Sequence, residues 1–287
     1  MKRLLIVSLS ALLLLTTTGC EDAHAKLKSS NEALFTVGNT TFTKGQLYSI
    51  LNASSGSAVA LQESLKEICG MEVPADDAMK ENASSMLDSY KQMYGDFFVE
   101  NLKANGLTEE EYVENLIFSE QQSNLVKKYI EENYQDVIDL YRPVQATIVY
   151  FQSEEVADTA LTDLKDGAKS VTEVINEYGS SSLGNPEIIT INTSIYPAEV
   201  TAYVRSGSID DGWQKVKSSS DERTFLIHID ETDTDKIKED VIETLSTINA
   251  VNTSSTEFYL RKYNFHIYDK GLYDAIKESN SSFIIQE

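Results

Sequence analysis

Three histidines (His24, His228 and His266) and two cysteines (Cys20 and Cys69) are all the chain offers of the residues most used for metal ligation and nucleophilic attack. None stands at a metal-ligand spacing from another, and two cysteines build neither a disulfide framework nor a four-cysteine zinc site. No Gly-rich phosphate loop, HExxH, CxxC or G-x-S-x-G motif occurs. The serine run Gly179 to Gly184 reads as a loop. Acidic residues number 46, so no single pair of carboxylates is informative. His228 falls in an apolar run and reads as a core or edge histidine; His266 alternates with Asn264 and Tyr268 and reads the same way. Trp213 stands alone in a polar, loop-like stretch. The expectation is no metal and no cofactor. The 46 acidic residues exceed the 24 basic ones by 22, and no basic stripe is present, which excludes a nucleic-acid partner.

Cys20 has a chemistry of its own. Met1-Lys2-Arg3 is a positive start, and Leu4 to Leu15 is an apolar run too short to span a bilayer, which needs ~20 residues. The run ends in Thr16-Thr17-Thr18-Gly19-Cys20, which resembles a bacterial lipobox with Thr17 where the pattern has Leu. The expectation is cleavage before Cys20, lipid on its thiol, and attachment to the outer face of the cell membrane. Residues 1–19 are then the signal peptide and 20–33 a tether. Diacylation supplies the second chain that stable anchoring needs. Cys69, left alone, reads as a small buried apolar residue.

These residues need elements to place them. Residues 34–43 read as a hairpin around Gly38-Asn39, with Thr43 capping a helix from Lys44. Asn52 to Ser57 reads as a break, after which Leu61, Leu65, Ile68 and Cys69 return to helical spacing. From Pro74 to Asp139 the pattern is helical. Met86, Leu87, Tyr90, Met93, Tyr94, Phe97 and Phe98 share one wide face, which reads as core or as a shallow groove where Met and Tyr adapt to varied partners. Thr108 and Glu111 stand at capping-box spacing. Beyond Pro143 come a strand (144–151), helices at 154–165 and 171–178, a strand (187–191), a helix (197–204) and a strand (224–229). Residues 235–260 return to helix, 263–268 alternate like a strand, and Lys270 opens a short helix and tail. The fold class is α+β: a mostly helical lobe with an inserted β-α-α-β-α-β domain.

The order of these parts resembles the PrsA foldase lipoproteins, relatives of the chaperone SurA. Residues 35–44 resemble that family's opening strand-turn-strand and helix start. Tyr94-Gly95-Asp96-Phe97 through residues 102–112 resemble its helical lobe. Gln145 to Tyr178 resembles the start of a parvulin-type prolyl isomerase domain. Residues 258–262 to Ile267-Tyr268-Asp269 resemble the C-terminal segment that returns to the lobe. The resemblance implies a discontinuous lobe, 34–142 with 233–287, around a parvulin-like domain at 143–232. It implies unfolded exported proteins as partners, held on the face of Met86, Tyr90, Met93, Tyr94, Phe97 and Phe98, in a Gram-positive cell; pairing of two copies stays open.

A parvulin sets an apolar proline pocket beside two histidines and an Asp or Cys. Here Thr147 occupies the place of the first His, Ser181 falls near the Asp/Cys position, and Ile227 takes the second His, with His228 one residue on. Ile195, Val200 and Tyr203 are candidates for the pocket wall. The catalytic cluster is thus degenerate, and the expectation is a foldase or chaperone with weak or lost isomerase activity. Two alternatives stand: an active isomerase using His228 or other polar groups, and a structural or solute-capturing lipoprotein.

Overall fold

The computed structural model describes residues 23, 25 and 27–286. The expected signal segment 1–19, Cys20 and His24 lie outside them. The chain divides into two compact units, residues 1–125 with 253–287 and residues 126–252. It is α+β, mostly helical with small antiparallel sheets.

The first unit opens with a hairpin of β1 (Ala33–Val37) and β2 (Thr40–Thr43), turned at Gly38, whose φ of +58° suits glycine. Thr43 caps α1 (Lys44–Leu51) reciprocally with Gln46. The expected break at 52–57 is absent: Asn52–Gly56 is a π-helical turn that leads into α2 (Ser57–Glu72). Gly56 permits it, since a Cβ there would stand 2.7 Å from Asn52 Oδ1 and 3.1 Å from Leu272 Cδ2. Asp76 caps α3 (Asp77–Tyr94), and Gly95, at φ +56°, turns the chain into α4 (Asp96–Ala104). Thr108 and Glu111 exchange hydrogen bonds at the start of α5 (Glu109–Glu132). The buried residues include Ile68, Cys69, Met79, Ala83, Leu102 and Phe118, joined by Tyr259, Leu260, Ile267 and Ile276 from the chain's end.

Residues 263–268 form no strand: they are a turn and an extended segment with no partner strand. The Gln286 side chain takes the partner's place, accepting from Ile267 N at 2.7 Å and donating to Ile267 O at 3.0 Å. Ala25 N also donates to Tyr268 O at 2.7 Å, but isolated bonds of this kind are not a ladder, and alternation alone does not make a strand.

In the second unit, α6 (Tyr134–Tyr141) precedes β3 (Val144–Phe151), α7 (Glu154–Lys165), α8 (Val171–Tyr178), β4 (Pro186–Ile189), α9 (Ala198–Ser206), β5 (Gln214–Lys217), β6 (Thr224–Glu231) and α10 (Lys238–Ser246). α11 (Asn249–Lys262) and α12 (Lys270–Ser279) end the chain. The strands form one antiparallel sheet in the order β4-β3-β6-β5. Each face of the sheet has its own core. Ala146, Ile148, Phe225, Ile227 and Ile229 pack with Val200 and Val204 of α9. Val149, Phe151 and Leu226 pack with Ala157, Ala160 and Leu164 of α7 and Val174 of α8. A third cluster joins Val126, Ile130, Val137 and Tyr141 to Ile188, Val241, Leu245 and Val251.

Candidate functional site

Which face each side chain takes decides what the degenerate cluster can do. Successive strand residues alternate between faces. Thr147 has the parity of Val149 and Phe151, so it faces the α7 and α8 side; in register it pairs with His228, not with Ile227. Ile227 pairs with Ile148 and points to α9. The positions aligned with the family's two histidines therefore lie on opposite faces of the sheet. Thr147 and His228, which the one-residue offset would separate, share a face.

A β-bulge completes the group. Gln145 pairs with Glu231 and Ala146 with Ile229, so Asp230 is the extra residue in β6. Its carboxylate accepts from Thr147 Oγ1 at 2.7 Å and lies 2.7 Å from His228 Nδ1. Trp213 covers the His228 ring at 5.3 Å between centroids. The result is a Thr-Asp-His group in which the carboxylate joins the other two. Thr147 itself is buried. Asp230→Ala should leave that hydroxyl unpaired and cost the second unit about 1–3 kcal/mol, whereas Thr147→Val should cost less. Urea unfolding of the two variants checks this, and equal losses would contradict it.

Ser181 does not join this group. Its neighbours hold the loop instead: Ser180 Oγ donates to Tyr150 O at 2.8 Å, and Tyr150 N donates to Ser182 Oγ at 3.0 Å. β4 pairs with β3 only along residues 144–147, and the two hydroxyls satisfy the β3 backbone beyond that point. Ser181 is exposed. The residues expected to wall a proline pocket differ in their placing, with Tyr203 packed against the α9-side core. Val200 is in the core with Val204, while Ile195 is 70% exposed. The sheet face beneath α9 is closed by Ala146, Ile148, Ile227 and Ile229.

One polar pair on the α9 side was not legible in the sequence. The Tyr196 hydroxyl donates to Glu187 at the β4 edge, beside Tyr150 and Phe225. Burial pushes the Glu187 carboxyl above its ordinary value, although the Tyr196 hydrogen bond opposes this. Burial and the adjacent carboxylate push the Tyr196 phenol up as well. Arg223 stacks over Tyr150 and Phe225 at 4.8 and 5.0 Å and is paired with Asp221. Glu187 is an isolated acid at the head of the apolar run Ile188 to Ile191; only the fold brings it to Tyr196.

The client face expected in the first unit is open to solvent. Tyr90 is its centre, 6.3 Å from Tyr94, 5.8 Å from Phe98 and 6.3 Å from Tyr112. Tyr90 and Phe98 are half-buried, Met86 and Tyr94 are exposed, and Met93 and Phe97 are 68% and 70% exposed. Asp96 and Glu100 of α4 are exposed, and Asp88, also exposed, falls by its spacing on the side of α3 away from Met86, Tyr90 and Met93. Large exposed apolar side chains gathered on one surface mark an interaction site more often than an accident of packing.

The foldase protein PrsA of Clostridium perfringens is 23% identical over 146 residues, covering 46% of this chain and 43% of its own. That of Streptococcus sanguinis is 26% identical over 161 residues, covering 54% and 48%. The chain is PrsA-like. It spans about half the length of the curated relatives it matches. The crystal structure of the peptidylprolyl isomerase PrsA from Bacillus cereus matches 88% of the PrsA-like chain and 100% of its own, at 17% identity and a TM-score of 0.48. No family model matches.

Proposed function

We propose that this chain is a foldase of the holding type, lipid-anchored through Cys20 outside the cytoplasmic membrane of a Gram-positive cell, with unfolded exported proteins as its clients and little or no prolyl isomerase activity. The observation that carries the reading is the open Met and aromatic face of α3 and α4, centred on Tyr90. Its flexible thioethers and flat rings suit clients of varied sequence. The relatives named foldase protein PrsA point the same way. The loss of isomerase activity is supported by the split of Thr147 and Ile227 across the sheet and by the aliphatic closure beneath α9. Among the described residues no helix is long and apolar enough to cross a membrane, so the anchoring part of the reading rests on the lipobox.

A second reading has its own observation. Tyr196 and Glu187 are half-buried and perturbed on the α9 side, and perturbed groups concentrate at functional sites. If the chain isomerises prolyl bonds, this pair supplies the polar groups.

Two assays on the same preparation separate the readings: suppression of aggregation of an unfolded client, and isomerisation of a short prolyl peptide. The expected result is strong suppression with an acceleration below about tenfold, equivalent to ~1.4 kcal/mol of transition-state stabilisation. Thr147→Ala and Ser181→Ala should leave suppression unchanged. A large rate that collapses in Tyr196→Phe would establish the second reading instead.

A further inference from the structure

Residues 33–62 contain no Asp or Glu, and Lys44 is their only charged residue, in a chain that carries 46 acidic residues among 287. The same stretch exposes Leu34, Phe35, Val37, Leu47, Ile50, Leu51 and Val59, with Val37 at 73%. Leu47, Ile50 and Leu51 share one side of α1 by their spacing. Phe35 stacks on Phe42 at 4.8 Å, and Phe42 and Ile50 line a cleft of about 580 Å³ with Ser30 and Asn31. The apolar hairpin and α1 are thus continuous with the segment that leads back to Cys20. That segment is fixed at several points. Gly45 N donates to Ser30 O at 2.8 Å, Lys44 N to Glu32 O at 2.9 Å, and Ala25 N to Tyr268 O at 2.7 Å. From Ala25 to Cys20 is five residues, a reach of at most about 18 Å.

We propose that the β1–β2 hairpin and α1 form a lipid-facing surface that rests on the bilayer interface. The inference builds on the proposed anchor at Cys20. An acidic body is repelled by anionic headgroups, and the part of it that can approach them is the part without carboxylates. The residues of this surface are such a part; Glu32 and Asp269, the latter accepting from Tyr48 at 3.2 Å, are the carboxylates brought to its border, and Cys20 is within a short tether's reach. The client face on α3 and α4 differs, since residues 86–100 carry Asp88, Asp96 and Glu100 and offer no such carboxylate-free stretch. Apolar side chains with a lone cation suit a headgroup boundary.

The test uses the full chain in vesicles of neutral and anionic phospholipid carrying a spin-labelled quencher at the headgroup boundary. Val37→Cys and, separately, Phe97→Cys carry an environment-sensitive fluorophore; Cys69, fully buried, does not compete for the label. Quenching at position 37 should exceed that at position 97 at least twofold. Equal quenching, or more at position 97, would overturn the proposal. So would a dimer in solution that protects position 37 from quenching, which would assign the surface to a second copy. Fractionation of Cys20→Ala reports on the anchor separately. If that variant stays on membranes the anchor reading fails, while the quenching pattern still decides the surface.

Discussion

Deleting residues 263–287 should lower the melting temperature of the first unit by about 10 °C or more. The segment contributes Ile267 and Ile276, both buried, to that unit's core. α12 packs on α2 and on the π-helical turn, so its loss also exposes the facing side of α2. Burial of an isoleucine side chain stabilises by roughly 1.5–3 kcal/mol, so two of them amount to about 3–6 kcal/mol. A domain's whole stability is about 5–15 kcal/mol. Hydrogen bonds leave with them, among them Tyr263 to Glu72 at 2.7 Å, Tyr48 to Asp269 at 3.2 Å and Ala25 N to Tyr268 O at 2.7 Å. Each kcal/mol moves the midpoint of a unit this size by about 2–4 °C. Thermal unfolding followed by circular dichroism measures it. A truncated chain with an unchanged midpoint would show that the N-terminal helices hold themselves.

The second large effect is expected in function with little change in stability. Met93→Asp combined with Phe97→Asp should reduce aggregation suppression at least tenfold and leave the melting temperature within a few degrees. Both side chains are more than two-thirds exposed, so little burial is lost. What changes is the partner side: a client's apolar segment would have to desolvate two carboxylates. Tyr90 and Phe98 remain as the half-buried floor, which keeps the helices in place. The measurement is light scattering of an aggregating client against chaperone concentration. Full suppression by the double variant would remove the α3 and α4 face from the mechanism.

The parts of the fold that sequence made legible are those with local signals. Ser153 and Ser170 cap α7 and α8, and Gly179 ends α8 at φ +70°, so the expected bounds 154–165 and 171–178 match the helices. β3 reads as a strand because its apolar run is buried on both faces. β5 was invisible: Gln-Lys-Val-Lys has no strand pattern, and only pairing with β6 makes it an edge. The segment 263–268 misled in the other direction, since its alternation belongs to a chain pinned by Gln286. The candidate sites divide in the same way. The α3 and α4 face follows from helical spacing within one segment, and so was legible. The Thr147, His228 and Asp230 group depends on strand register and on a bulge, and the Glu187 and Tyr196 pair on a strand meeting a loop. Neither follows from spacing along the chain.

Cys69 carries a consequence for the chain's dealings with clients. It is the one cysteine among the described residues, a free thiol at 0% exposure, and burial pushes its pKa up to about 11. Thiol–disulfide exchange proceeds through a thiolate that can reach the other sulfur. In the proposed extracytoplasmic setting, unfolded clients would carry cysteines in more than one oxidation state. A holding protein with an accessible thiolate would capture some of them covalently and be consumed. With Cys69 sealed and protonated, the proposed holding activity would offer clients no thiolate at this position, and disulfide exchange there would not consume the chain.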